Sequence, residues 1–220
     1  MQVVVSTDKN FLAWQGFDLF PRDLNSAPEA TPKAYRILRS TSLDDFKKLV
    51  AEDVGVDADL LRPWSVVGRQ NNTIRPDTPL DPNSTTMEDA LVKVQNKTPF
   101  RVWIETVSRS PNGKPEFVDR VVPSIGQNPS KPILLFLKHF NTEKQTLTGA
   151  GHIYVGSGGR ISDMVPEVLE RMGWPATTDL KLWEVSNLDI CVSDTPLINN
   201  VGNQGQHDRT SNTESHNSAS

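Results

Sequence analysis

Residues 131–185 decide the fold, and they read KPILLFLKHFNTEKQTLTGAGHIYVGSGGRISDMVPEVLERMGWPATTDLKLWEV. Two sets of mostly apolar side chains alternate along 133–138, which predicts a buried strand. The polar turn NTEKQT leads back to β-branched and aromatic residues at 151–155, which favour a second, antiparallel strand. Apolar residues at helical spacing then predict a helix from about Ser162 to a stop at Gly173. A short strand is expected near 180–183, so the order is strand, strand, helix, strand.

The same order occurs in the first half of the chain. A strand is expected at 35–38, and Ser42 is suited to cap a helix whose first turn carries acidic side chains. Gly55 would stop this helix as Gly173 stops the later one, and the strand phrase at 59–66 parallels the one at 179–185. Two related domains of the β-grasp, or ubiquitin-like, fold are the economical interpretation, and they place the chain in the α+β class.

The predicted organisation has four parts: a first ubiquitin-like domain at 1–110, a linker at 111–130, a second domain at 131–192 and a disordered tail at 193–220. The tail has too few apolar residues for their burial to offset the conformational entropy that it would lose on folding. Strands at 2–6 and 100–107 would open and close the first domain, and an edge segment is expected at 117–122.

A long connection follows the first strand and carries Trp14, Gly16, Phe17 and Phe20. It is longer than a hairpin needs, so we expect it to pack over the core or to contact a neighbouring domain.

The second domain is expected to lack its last strand. In a β-grasp sheet this strand lies between the first and the third, and without it their backbone edges would be exposed. The segment 189–192 is the one candidate to replace it, but it is short and comes early in the chain.

Composition narrows the function classes. The 220 residues are 36% hydrophobic and 23% charged, with a net charge of -4, which suits a globular chain with two small cores and argues against nucleic-acid binding. The single cysteine, Cys191, excludes an intramolecular disulfide framework and fits a reducing compartment. No apolar run is long enough to span a bilayer, and neither a membrane partner nor a small-molecule ligand is expected.

Independent catalysis would have to use Cys191, activated by His139 or His152 from the preceding hairpin. No protease nucleophile motif surrounds this cysteine, so structural histidines are the better interpretation, with His152 bonded within its own hairpin. Paired cysteines and histidines at metal-ligand spacing are absent from the sequence, and the glycine run at 156–159 lacks the Lys-Ser/Thr of a phosphate loop. The sequence therefore predicts no catalytic, cofactor-binding or metal-binding residues.

Several phrases, in the right order, resemble a known family: VVVSTDKNFLAWQGFDL, YRILRSTSLDDF, LLRPWSVVGRQNNTIRPDTPL, WIETV, ILLFLKHFNTEKQTL, GHIYV, ISDMVPEVLERMGW and LKLWEV. They are similar to the tandem ubiquitin-like domains that follow the catalytic domain in the ubiquitin-specific protease 7, or herpesvirus-associated ubiquitin-specific protease, family, including its fungal-type members. The resemblance covers most of residues 1–187. It corresponds to the first two units of the array, including the segment named for binding a herpesvirus ubiquitin ligase.

The resemblance implies a non-catalytic module of a cysteine deubiquitinase, which recruits partners and supports the catalytic domain. It implies as partners that catalytic domain and its protein substrates or regulators, and a location in nucleus and cytoplasm. The resemblance does not extend to the catalytic domain, so it assigns no nucleophile and leaves open whether the chain belongs to an enzyme. The alternative is a free-standing ubiquitin-like protein that competes for the same partners. A signature turn is expected to be partner-facing or a solvated hairpin tip, and its residues are Trp64, Arg69, Asn71, Arg75 and Pro76.

Overall fold

The computed structural model describes residues 1–21, 27–69, 73–94, 99–119, 132–157, 159–186 and 189–193. In chain order its elements are β1 (Gln2–Thr7), α1 (Asp8–Ala13), β2 (Lys33–Arg36), α2 (Leu43–Val54), β3 (Leu61–Gly68), β4 (Ile74–Pro79), α3 (Met87–Lys93), β5 (Phe100–Thr106), β6 (Pro132–Asn141), β7 (Thr146–Gly156), α4 (Val165–Met172), β8 (Lys181–Ser186) and β9 (Asp189–Ser193). The strands form two sheets, in the orders β2-β1-β5-β3-β4 and β7-β6-β9-β8.

The first sheet has the β-grasp arrangement, because β1 and β5 run parallel at its centre while the flanking pairs are antiparallel. Helix α2 begins where the Ser42 hydroxyl accepts the Asp45 amide and ends at Gly55, whose φ of 77° lies in the left-handed region. The helix packs on one face of the sheet. The core between them includes Val3, Val5, Phe46, Val50, Leu61, Phe100, Val102 and Ile104.

Strand β4 corrects the expectation that Arg75 and Pro76 of the signature turn lie in a turn, because both belong to this strand. Its sequence, IRPDTP, holds two prolines and does not resemble a strand. Proline is nevertheless tolerated in a strand at the edge of a sheet, where the missing amide hydrogen would face away from the neighbouring strand. Strand β4 is such an edge and pairs with β3 alone.

The second sheet repeats the first: β6 runs parallel to β9, and β9 runs antiparallel to β8. The predicted α+β class with two β-grasp domains is therefore confirmed, with one correction. The last strand of the second domain is present, since Asp189–Ser193 occupies the position between β6 and β8. In the first sheet β4 lies outside β3, whereas the described residues of the second domain provide no strand outside β8.

Helix α4 follows a single 3-10 turn, Ile161–Met164, and ends at Gly173, whose φ is 67°. Its buried Val168 packs with Leu135, Leu137 and Ile153 of the hairpin formed by β6 and β7. Because successive strand residues point to opposite faces, this packing turns Leu134, Phe136 and Lys138 away from α4.

The long connection after β1 lies between the two domains. Thr7 caps the short helix α1, and Phe11, Leu19 and Phe20 of this segment are almost completely buried beside Phe136 of β6. Both expectations for this connection are met. It packs over the first domain, on the outer face of the first sheet, and it also contacts the neighbouring domain.

Three other expectations concern the linker and the tail. Residues 117–119, where an edge segment was expected, are not in a strand, and 121 and 122 lie outside the described residues. Residues 120–131 and 194–220 also lie outside them, so the disorder of the tail stays a prediction.

Candidate functional site

The structure describes four of the five residues of the predicted signature turn, and these four lie in three different places. Trp64 is on β3 and is 8% exposed, while Arg75 and Pro76 are on β4. Arg69 lies in the connection between these strands, where its amide donates to the Thr73 carbonyl, and Asn71 lies outside the described residues. Trp64, Arg75 and Pro76 come together at the junction between the two domains, and their role toward a partner stays a prediction.

An aromatic cluster forms the centre of this junction. The ring of Phe136 lies 5.1 Å from the rings of both Trp103 and Phe11, edge to face in each case. Trp103 also lies 6.0 Å from Trp64, its partner across β3 and β5. Such aromatic pairs stabilise a structure by more than the burial of their apolar area alone. The cluster therefore buries the sheet faces that point away from α2 and α4.

A buried carboxylate connects the domains beside this cluster. Glu105 is 1% exposed, and its Oε2 accepts hydrogen bonds from Arg62 Nε at 2.6 Å and from Trp64 Nε1 at 2.9 Å. Its Oε1 accepts from the hydroxyl of Tyr154 in β7 at 2.7 Å. Arg62 also donates to Asp119 at 2.7 Å. Glu105 is thus held by donors from both domains.

These contacts shift the ionisation of their members. Burial, followed by the charge and hydrogen bond of Glu105, raises the pKa of Tyr154 far above the ordinary value of a phenol. Burial alone would lower the pKa of Arg62, but the hydrogen bonds and charge of Glu105 more than offset it, and the net direction is upward. Tyr154 is therefore held neutral and Arg62 charged.

A second polar contact across the junction is made by Lys138 of β6. Its side chain is completely buried, and its ammonium group donates to the carbonyl oxygens of Gly16 at 2.5 Å and Asp18 at 2.7 Å. The same nitrogen lies 5.5 Å from the centre of the Phe11 ring. The sequence suggests a solvent-exposed lysine at this position. In the structure its ammonium group instead binds the backbone of the long connection that follows β1.

The two strand histidines make structural contacts, but the side chain of His152 is hydrogen-bonded to the first domain rather than within its own hairpin. Its Nδ1 lies 3.2 Å from Oδ1 of Asp8 in the first domain, and its ring lies 5.0 Å from the ring of Trp103. The ring of His139 instead packs edge to face on Trp174 at 5.3 Å. Cys191 lies on β9 in register with Lys138.

An open groove runs along the junction on the side of β4 and encloses about 400 Å³. We call it the interdomain groove. One wall is formed by Arg62 and Trp64 of β3 and by five successive residues of β4, and the other by the start of β6. Its described lining is Arg62, Trp64, Arg75, Pro76, Asp77, Thr78, Pro79, Val118, Asp119, Pro132, Ile133, Leu134 and Ser157.

Sequence reasoning named Trp64, Arg75 and Pro76, which line this groove, but did not name Glu105, Lys138 or the wall formed by β6. One available signal was the strand WIETV, in which Trp103 and Glu105 share a face opposite Val102 and Ile104. A large aromatic residue and a carboxylate on the face away from the core indicate that this face also has a partner.

The described residues do not meet the requirements of a metal site or of a membrane-spanning helix. Within the described ranges, no group of three or more His, Cys, Asp or Glu side chains is arranged to hold a metal ion. No helix in the same ranges has the length and apolar character needed to cross a membrane.

The two sheets, each with a parallel central pair of strands, and their helices define two ubiquitin-like domains that pack against each other across the buried junction. The chain belongs to the family described as the ICP0-binding domain of ubiquitin-specific protease 7, whose model matches residues 61–197. The match begins at the first residue of β3 and includes the whole second sheet.

Relatives in plants, fungi and animals agree with this family. Ubiquitin C-terminal hydrolase 13 of Arabidopsis thaliana is 28% identical over 164 residues, which are 73% of this chain and 14% of the relative. Ubiquitin carboxyl-terminal hydrolase 5 of Schizosaccharomyces pombe is 27% identical over 163 residues, again 73% and 14%. Ubiquitin carboxyl-terminal hydrolase 7 of Drosophila melanogaster is 23% identical over 164 residues, 74% and 13%. The chain thus spans about one seventh of the length of these relatives.

Proposed function

We propose that this chain acts as the non-catalytic, ubiquitin-like module of a cysteine deubiquitinase, recruiting protein partners and supporting the catalytic domain of that enzyme. The family match over residues 61–197 carries the proposal. The names of the relatives, all ubiquitin hydrolases, support the enzyme class.

The buried junction suggests how such a module works. Because Glu105 and Lys138 are bonded across it, separating the domains would expose a carboxylate and an ammonium group together with an aromatic cluster. A rigid pair of domains would hold two partner-binding surfaces at a fixed spacing, so that binding would not lose conformational entropy to align them. The module then contributes binding energy and orientation, while bond cleavage belongs to the catalytic domain.

The proposed partners are the catalytic domain and its substrates or regulators. Trp64, Arg75 and Pro76 border the interdomain groove and are the signature residues that we propose to face a partner. A location in nucleus and cytoplasm is proposed from the family resemblance, and immunofluorescence with an antibody to residues 1–119 tests it.

The same antibody tests the function. We expect the precipitate from source cells to release a fluorophore from ubiquitin's C-terminus, and a thiol-alkylating reagent to abolish this release. The recombinant 220-residue chain should be inactive alone, with or without Cys191→Ala. Activity of the recombinant chain that Cys191→Ala removes, or a precipitate without thiol-dependent activity, would refute the proposal.

A further inference from the structure

We propose that the interdomain groove docks an extended, acidic segment of a partner protein, with Arg75 as the residue that binds its carboxylate. This inference rests on the recruiting function proposed above and gives it a location and a ligand chemistry.

The shape of the groove fits an extended chain. Residues 75–79 all line it, although successive side chains of a strand point to opposite faces of a sheet. All five can line one groove only if it runs along the outer edge of β4. The start of β6, with Ile133 and Leu134, forms the facing wall, so the groove is a channel between a strand edge and the second domain.

The edge of β4 does not favour an added strand. Pro76 and Pro79 lack amide hydrogens, and proline occurs in an edge strand where that hydrogen would point away from the neighbouring strand. The outer edge has therefore lost two of the donors that a further strand would need, which also disfavours edge-to-edge pairing with a second copy of this chain. Recognition must then come from side chains.

The charges in the groove favour an acidic occupant. Arg62 is already occupied by Glu105 and Asp119. Arg75 differs, because its Nε is buried and has no hydrogen-bond partner among the described residues. Asp77 forms a long ion pair with Arg75, in which Oδ1 lies 3.9 Å from Nη2 and thus beyond hydrogen-bond distance.

An unsatisfied buried donor is costly, and a donor on a charged group more so. The Arg75 side chain as a whole is 30% exposed, so a carboxylate from a partner could accept from the accessible part of its guanidinium and form a charge-assisted hydrogen bond that this group does not make with the described residues. Pro76, Pro79, Val118, Ile133 and Leu134 provide apolar surface beside this position. The preferred segment therefore alternates acidic and apolar side chains.

The test uses the full chain and a short fluorescein-labelled peptide in which glutamate alternates with leucine. Two matched peptides carry glutamine or lysine in place of glutamate. Fluorescence anisotropy should show binding of the acidic peptide, and its affinity should fall about tenfold or more with glutamine, because a charge-assisted hydrogen bond is lost. The lysine peptide should not bind. Amide resonances that shift with the acidic peptide should map to 75–79 and 132–134.

Three variants locate the interaction. Arg75→Gln should weaken binding about tenfold or more, whereas Asp77→Asn should strengthen it because the competing carboxylate is removed. Arg36→Gln removes the same charge from the exposed far edge of the first sheet and should leave the affinity unchanged. If Arg75→Gln misfolds, the direction in which Asp77→Asn changes the affinity still tests the proposal.

Equal affinity for the glutamate and glutamine peptides, an unchanged affinity in Asp77→Asn, or shifts confined to other surfaces would overturn the proposal. Failure here is separable from failure of the proposed function. Thiol-dependent activity in the antibody precipitate, with no acidic-peptide binding, rejects the groove alone. Groove binding without that activity rejects the deubiquitinase module and leaves the groove as a docking site.

Discussion

The hydroxyl of Tyr154 donates a 2.7 Å hydrogen bond to Oε1 of Glu105, and this bond joins the second domain to a buried carboxylate of the first. Arg62 and Trp64 occupy the other oxygen of Glu105. A carboxylate this deeply buried is tolerated only when neighbouring donors and charges compensate it. The relative position of the two sheets is therefore part of what keeps Glu105 hydrogen-bonded.

The first prediction concerns Glu105→Ala. This change should lower the free energy of unfolding by about 3–5 kcal/mol, because it leaves the Arg62 guanidinium largely buried without its main partner. Tyr154→Phe should cost about 2 kcal/mol, mainly because the short hydrogen bond that the hydroxyl donates to Glu105 is lost, together with the longer one that it accepts from Arg62. Urea unfolding followed by tryptophan fluorescence measures both.

Glu88→Ala is the matched control, because Glu88 forms an exposed ion pair with Arg39. It should cost at most about 1 kcal/mol. The costs of Glu105→Ala and Tyr154→Phe should also be non-additive, since the two residues touch. A Glu105→Ala cost no larger than that of Glu88→Ala would show that the network does not hold the domains together.

The second prediction is that Gly149→Ala disturbs the contact between α1 and β7. A Cβ at this position would lie 2.3 Å from the carbonyl oxygen of Phe11, so the two backbones must move apart. Overpacking of this kind costs about 1–3 kcal/mol. Hydrogen exchange should show lost protection in 11–13 and 146–153 while α2 keeps its protection.

Gly68→Ala is the control, because a Cβ there meets nothing within 4 Å and the residue ends β3. Its exchange pattern should match that of the unsubstituted chain. Unchanged protection of α1 in Gly149→Ala would contradict the close approach.

Strand periodicity orients several side chains of the junction, although sequence reasoning did not single out Glu105 or Lys138. Alternation along β6 places Leu134, Phe136 and Lys138 on one face, and alternation along β5 places Trp103 and Glu105 opposite the core. It does not say what covers those faces, because the covering segment is distant in sequence. A lysine in this pattern indicates a solvent-exposed position, whereas in the structure the carbonyl groups of Gly16 and Asp18 accept hydrogen bonds from the buried ammonium group.

Strands β4 and β9 show where local patterns fail. The two prolines of β4 lower the strand propensity of its sequence. At the edge of a sheet, however, a proline whose missing amide hydrogen would face outward breaks no hydrogen bond to the neighbouring strand. Segment 189–193 is short and follows β8 after two residues, yet its backbone pairs on both sides. Pairing with two neighbouring strands satisfies the backbone amide and carbonyl groups of β9, whatever its intrinsic strand propensity. Such pairing between distant segments cannot be read from a single sequence.

The third prediction concerns Lys138→Met, which keeps the length of the side chain and removes its charge. The free energy of unfolding should fall by about 2–3 kcal/mol, because two carbonyl groups at a buried site lose a charged donor. Urea unfolding measures the change. Lys144→Met, in the exposed turn between β6 and β7, is the control and should have an effect within about 0.5 kcal/mol. Equal effects of the two variants would contradict a structural role for the Lys138 ammonium group.

The fourth prediction is that stability falls in alkali. The chain has two tyrosines. Burial, followed by the hydrogen bond and charge of Asp53, raises the pKa of Tyr35, and burial with Glu105 raises the pKa of Tyr154. In the unfolded chain both groups titrate near pH ~10. Because the folded pKa values lie above the unfolded ones, this stability is complete below about pH 10 and is lost as the pH rises further.

Urea unfolding at stepped pH should therefore show a free energy of unfolding that declines above about pH 10. Tyr154→Phe and Tyr35→Phe should each reduce that decline, since phenylalanine does not ionise, and the double variant should reduce it most. Tyrosinate absorbance should rise together with the loss of tertiary structure. Tyrosinate that forms near pH ~10 in a chain still folded by circular dichroism would show instead that the fold does not protect the two phenols.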